Sequence, residues 1–186
     1  CKEQVLGFKG AMYKKFATEQ EAEDYILNCN SSDTEICDNI YSKFDDDMVD
    51  YFVYTDGSCY KNGQIDATSG IGIFFAENDN RNIAKIIEIG NTNNSAELVA
   101  IIEAYKLIIT DLLSGKKICI ITDSDYSIKC ATSYGEKCAK NNWNKNIPNK
   151  NLVQQLYNIY STNDNLKLKH IKAHNNNNDI HSQGNK

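Results

Sequence analysis

Three carboxylates occupy settings in which chemistry is possible. Asp56 follows the run Tyr51-Phe52-Val53-Tyr54-Thr55, Glu97 opens a long helical pattern, and Asp123 follows Lys117-Ile118-Cys119-Ile120-Ile121-Thr122. Gathered in one cleft, such groups repel one another and hold their protons more tightly unless a cation neutralises them. An all-oxygen ligand set with no cysteine or histidine suits Mg²⁺, with Mn²⁺ as a substitute. Two such ions about 3.5–4 Å apart can activate water and stabilise the leaving oxygen of a phosphodiester, with Asp56 bridging them. Each acid also has a structural use. Asp56-Gly57 reads as a turn ending a strand, Asn94-x-x-Glu97 as a capping box, and Asp123-Ser124 as an N-cap.

The elements that must position these acids are legible from periodicity. Residues 51–55 are β-rich, Gly70-Ile71-Gly72-Ile73-Phe74-Phe75 reads as a second strand, and Lys85-Ile86-Ile87-Glu88-Ile89 as a third. Short polar loops join the three, which predicts an antiparallel meander. A helix is expected over 94–113, where Val99, Ile102, Tyr105 and Ile109 recur at helical spacing. Residues 117–122 form a continuous apolar run, the pattern of a central strand buried on both faces. Two short helices (125–132 and 149–160), with a Lys/Asn-rich segment between them, and an alternating strand at 166–171 complete the order βββαβααβ. The expected architecture is α/β, a five-stranded mixed sheet with helices on both faces. The first and fourth strands, both apolar enough to be central, place Asp56 and Asp123 side by side.

The chain has 186 residues and a formal net charge of −5, with 41% hydrophobic residues, enough to build a core. Acidity would argue against a nucleic-acid partner, but the charge is segregated. Residues 1–18 carry four lysines against one glutamate, 19–50 carry eleven acids against Lys43 alone, and 51–186 carry fifteen bases against thirteen acids. The acidity belongs to residues 29–50 and their flank, which read as a linker. Seven cysteines without a C-x-x-C pair are expected to be reduced thiols in an intracellular protein. No apolar run approaches the roughly 20 residues of a membrane span, so no membrane partner is expected.

Four motifs then occur in order: Tyr54-Thr55-Asp56-Gly57-Ser58, Thr92-Asn93-Asn94-Ser95-Ala96-Glu97, Thr122-Asp123-Ser124 and His170-Ile171-Lys172-Ala173-His174. Over residues 51–186 the chain resembles ribonuclease H of type 1. The resemblance implies that Asp56, Glu97 and Asp123 hold metal and that His174 is a mobile-loop histidine moving protons or assisting product release. It implies that Gly57, Ser58, Asn93 and Asn94 meet the substrate, the two asparagines reading the minor groove, where 2′-hydroxyls mark RNA. Thr92 and Asn149 match positions that hold a DNA phosphate, although the arginine usual two residues before Thr92 is here Gly90. Upstream, Met12-Tyr13-Lys14-Lys15-Phe16-Ala17-Thr18-Glu19 resembles the hybrid-binding domain found ahead of eukaryotic-type members. There Tyr13, Lys14 and Lys15 would contact an RNA–DNA duplex, lysines on phosphates and the ring on sugars or bases.

The resemblance thus implies a partial hybrid-binding domain at 1–28, a linker at 29–50 and a nuclease domain at 51–186. It implies cleavage of the RNA strand of RNA–DNA hybrids, with 5′-phosphate and 3′-hydroxyl products, by a monomer needing no protein partner. Lys137, Lys140, Lys145 and Lys150 around Trp143 fall where the family grips the duplex. Two departures matter. The family's fourth metal-binding aspartate would fall three residues past Lys186, with Asp179 a poor substitute, so this chain is expected to bind the second metal weakly. The hybrid-binding domain also begins before Cys1 by the family pattern. A hybrid-binding protein without catalysis and the nuclease domain of a reverse transcriptase are the competing readings.

Overall fold

A computed structural model describes residues 43–88 and 92–171. β1 (Tyr51–Tyr60), β2 (Thr68–Phe74) and β3 (Ile83–Ile87) form the antiparallel meander, α1 (Asn93–Leu113) crosses over, and β4 (Ile118–Thr122) returns parallel to β1. α2 (Asp125–Ala131), α3 (Ser133–Lys140) and α4 (Lys150–Thr162) lead to β5 (Leu166–His170), parallel to β4, giving the sheet order β3-β2-β1-β4-β5. This is the five-stranded mixed sheet expected from the sequence.

β4 is buried at all five positions because parallel neighbours flank it and both of its faces are covered. One sheet face, carrying Val53, Ile71, Ile73, Ile118, Ile120, Leu166 and Leu168, packs with the helices into the main core. α1 contributes Leu98, Ile101, Ile102, Ile108 and Leu112 to it, each buried aliphatic side chain worth about 1.5–3 kcal/mol. The helix stops at Ser114, after which Gly115 takes φ +91°, a conformation that favours glycine and lets the chain turn back toward β4. The opposite face carries a smaller cluster of Tyr54, Cys119 and Ile121, flanked by Val49, Phe52, Phe74 and Ile171.

Three local expectations are corrected. Asp56-Gly57 is not a turn: β1 runs on through Tyr60, with Asp56 opposite Gly72 and Gly57 opposite Ile71. The antiparallel ladder to β2 outweighs the local Asp-Gly preference. Residues 133–140, left without a helix boundary in the Lys/Asn-rich segment, form α3, which follows the helix-breaking backbone of Thr132 (φ −119°, ψ −110°). Residues 43–50, assigned by charge to the linker, are bound to the folded body. Lys43 donates to the carbonyls of Tyr160 and Asn163, Phe44 is buried, and Asp46 pairs with Lys167 and Lys169. Those lysines hold the Asp46 carboxyl down to about 2.

Gly57 sets the distance between β1 and α1. A Cβ there would lie 2.3 Å from the Glu97 backbone nitrogen and 2.4 Å from the Ala96 carbonyl carbon. Because the obstructing atoms are backbone, the helix must shift to admit a methyl group. Gly57→Ala is expected to cost about 1–3 kcal/mol, as over-packed sites do, seen as a lower urea midpoint; an unchanged midpoint would show the contact to be slack.

Candidate active site

The parallel register aligns Thr55 with Thr122, so the next residues, Asp56 within β1 and Asp123 just past the end of β4, are neighbours. Glu97, one turn into α1, closes the group through the Gly57 contact. One carboxylate oxygen from each of the three lies within 4.8 Å of the others. Asp56 is exposed, while Glu97 and Asp123 are half-buried.

Glu97 bears the electrostatic consequence. Burial first, then the charges of Asp123 and Asp56, push its carboxyl up to about 8, against a backbone hydrogen bond from Gly57 that favours the charged form. Its Oε2 is buried without a hydrogen-bond partner. An orphaned buried carboxylate oxygen facing two further carboxylates is the donor set of a hard divalent cation. The residues present therefore fit a metal, and Asp56, Glu97 and Asp123 are the ones that would hold it.

The surrounding hydrogen bonds leave these three carboxylates out of the structural roles open to them. The cap of α1 is Thr92, whose hydroxyl accepts from the Ser95 N–H at 3.1 Å, while the Ser95 hydroxyl accepts from the Thr92 N–H at 3.1 Å. The Asn94–Glu97 capping box is thereby overturned: the helix starts one residue earlier, and Glu97 is not spent on capping. Asn93 ties this turn to the strand, its Oδ1 accepting from the Cys59 N–H at 2.7 Å and its own N–H donating to Asn62 at 3.0 Å. Ser124, not Asp123, caps α2 by accepting from the Ser127 N–H at 3.2 Å.

Of the other residues singled out in the sequence, Gly57 is buried beneath Glu97, and Ser58 is exposed beside Asp56. Asp56 and Ser58, with Gly70, Gly72, Ala84 and Ile86, line a groove of about 400 Å³. Asn94 is half-buried at the start of α1. Asn149 precedes α4 in a left-handed conformation (φ 52°) and makes no side-chain cap, so that structural use is not observed. In the basic segment Lys137 and Lys145 are exposed and Lys140 pairs with Glu136, whereas Trp143 packs edge-on against Tyr157 at 6.1 Å. Tyr13, Lys14, Lys15, Gly90, His174 and Asp179 lie outside the described residues. Sequence reasoning missed Asn62 and His170. Asn62 is a loop asparagine with no local signal, and His170 was passed over for the second histidine of its motif.

Comparison with known proteins converges on one family. A family model described as RNase H matches residues 48–186, and one described as Ribonuclease H1 N-terminal domain matches residues 1–26. A ribonuclease H of Schizosaccharomyces pombe is 36% identical over 127 residues, covering 66% of this chain and 46% of that protein. The chain spans about half the length of the first relatives it matches. The solution structure of the PFV RNase H domain aligns with a TM-score of 0.55 at 25% identity, over 73% of this chain and 87% of that one. The foamy viral protease-reverse transcriptase in complex with RNA/DNA hybrid shares the fold, with a TM-score of 0.56 at 20% identity, over 74% of this chain and 19% of that one. Members of the matched family are metal dependent, in keeping with the acidic cluster. No helix among the described residues is long and apolar enough to cross a membrane.

The raised proton affinity of Glu97 has a thermodynamic signature. Its folded-state value of about 8 exceeds the usual 4.5, so the metal-free folded chain carries an extra proton between those values. The stabilisation is complete below the unfolded value and is lost as pH rises through the folded one, by up to about 1.4 kcal/mol per pH unit. Urea midpoints measured in EDTA between about pH 5 and pH 8 should therefore fall for the wild type and stay flatter for Glu97→Gln. Parallel slopes for the two proteins would show that Glu97 ionises normally.

Proposed function

The chain belongs to the ribonuclease H family, and on that footing we propose that it cuts the RNA strand of RNA–DNA hybrids by metal-assisted hydrolysis, leaving 5′-phosphate and 3′-hydroxyl ends. The observation that carries this reading is the carboxylate triad with its unpartnered Glu97 oxygen. Two Mg²⁺ ions, or Mn²⁺ in their place, are the cofactor that this oxygen-only set best accommodates. Bound there, the metal supplies positive charge that polarises the scissile phosphate and lowers the pKa of the attacking water.

The chain's own residues supply the remaining parts. Asp56, exposed beside Ser58, is placed to meet the substrate, and Glu97 gives up its proton when a cation offsets the charges of Asp56 and Asp123. Asn93 and Asn94 face the minor groove, Asn93 fixed by Cys59 and Asn62 before substrate arrives, which lowers the entropic cost of recognition. Gly57 and Ser58 line the RNA side, and Thr92 and Asn149 receive a DNA phosphate. His174 handles protons at the leaving group. Tyr13, Lys14 and Lys15 hold the hybrid from a binding module at 1–28, joined to the catalytic unit 51–186 through the acidic stretch 29–50, whose residues 43–50 dock on that unit. The match of residues 1–26 to the ribonuclease H1 N-terminal domain supports that arrangement, and favours a free-standing enzyme over the nuclease domain of a reverse transcriptase.

The test is incubation of the full chain with Mg²⁺ and an RNA–DNA hybrid, with RNA duplex and DNA duplex as controls. Only the RNA strand of the hybrid should be cut. Asp56→Asn and Asp123→Asn should each slow cleavage by about a hundredfold or more, the scale on which losing one electrostatic stabiliser acts. A hybrid that is bound in a gel shift but left intact would sink the enzymatic reading in favour of a binding protein.

A further inference from the structure

β5 ends beside the carboxylate cluster, with His170 in register with Thr122 on β4. The last backbone bond between these strands among the described residues runs from the Ile171 N–H to the Thr122 carbonyl at 3.0 Å. One residue further, the His170 Nε2 lies 3.1 Å from the carbonyl oxygen of Asp123. A carbonyl only accepts, so Nε2 carries the hydrogen and donates it. The ring thus adds a side-chain rung just past the end of the backbone ladder. On the other side of Asp123, the Ser124 N–H donates to the Thr122 hydroxyl at 3.1 Å, and Ser124 caps α2.

We propose that His170 is a positioning residue for Asp123. By holding the Asp123 carbonyl it restrains rotation of the peptide that follows the strand, and so fixes the direction in which the carboxylate leaves the backbone toward Asp56 and Glu97. The role does not depend on the charge of the ring, because the neutral Nε2–H tautomer and the imidazolium both donate. It rests on the metal-dependent nuclease reading only for its biological purpose; the geometry it describes is that of the metal-free chain.

The experiment is a Mn²⁺ titration followed by electron paramagnetic resonance, without nucleic acid, on the full chain and on His170→Leu, His170→Asn and His170→Gln. Glutamine can present an N–H at the reach of the imidazole Nε2, whereas asparagine is too short and leucine has no donor. His170→Leu and His170→Asn should bind Mn²⁺ about tenfold more weakly, as loss of a supporting group behind a metal ligand does. His170→Gln should recover most of the affinity. The Mg²⁺ concentration for half-maximal hybrid cleavage should shift in the same order. His170→Asn binding Mn²⁺ as tightly as wild type, or a folded His170→Gln binding as weakly as His170→Asn, overturns the proposal. A wild-type chain that binds Mn²⁺ yet leaves hybrids intact overturns the nuclease reading alone.

Discussion

The absence of a side chain at Gly57 lets the first turn of α1 lie against β1 more closely than any other residue would allow. Much of the candidate site depends on that approach. It carries Glu97 to where Asp56 on β1 and Asp123 at the end of β4 lie side by side, and it brings the Gly57 N–H within hydrogen-bonding reach of the Glu97 carboxylate. One Glu97 oxygen is buried there. Burial and proximity to Asp123 and Asp56 together raise the proton affinity of this residue.

Three acids held this closely work against folding, so the surrounding structure must hold them by interactions that do not involve the carboxylates. α1 is anchored by aliphatic burial along its length and capped by Thr92, not by an acid. β4 is pinned between parallel neighbours, and Ser124 relieves Asp123 of capping duty. The division is consistent: hydroxyls, amides and apolar side chains do the structural work around the cluster, and the carboxylates stay available for a cation.

Charge is partitioned in the same spirit. The overall net charge of −5 would disfavour a polyanionic partner, but much of the acidity lies before the sheet begins. Where that acidic stretch reaches the folded body, Asp46 sits on Lys167 and Lys169 beside buried Phe44. Because Asp46 itself is exposed to solvent, each pair is worth only about 1 kcal/mol or less. Their effect is to fix where the stretch joins the sheet, on the strand that also carries His170.

The sequence by itself determined the residue types of the site, the order of strands and helices around it, and the neighbourhood of Asp56 and Asp123. Those follow from short-range patterns: the unbroken apolar run of β4, the helical spacing in α1 and the β-rich start of β1. It did not determine which residue caps α1, that β1 continues through Asp-Gly, or that His170 touches the Asp123 carbonyl. The last two were decided by partners distant in sequence. The ladder to β2 carried Asp56 past a local turn signal, and the parallel register of β5 put His170 against the Asp123 carbonyl. The proton affinity of Glu97 belongs to the same class. It depends on burial and on two charges from other segments, which no local pattern encodes.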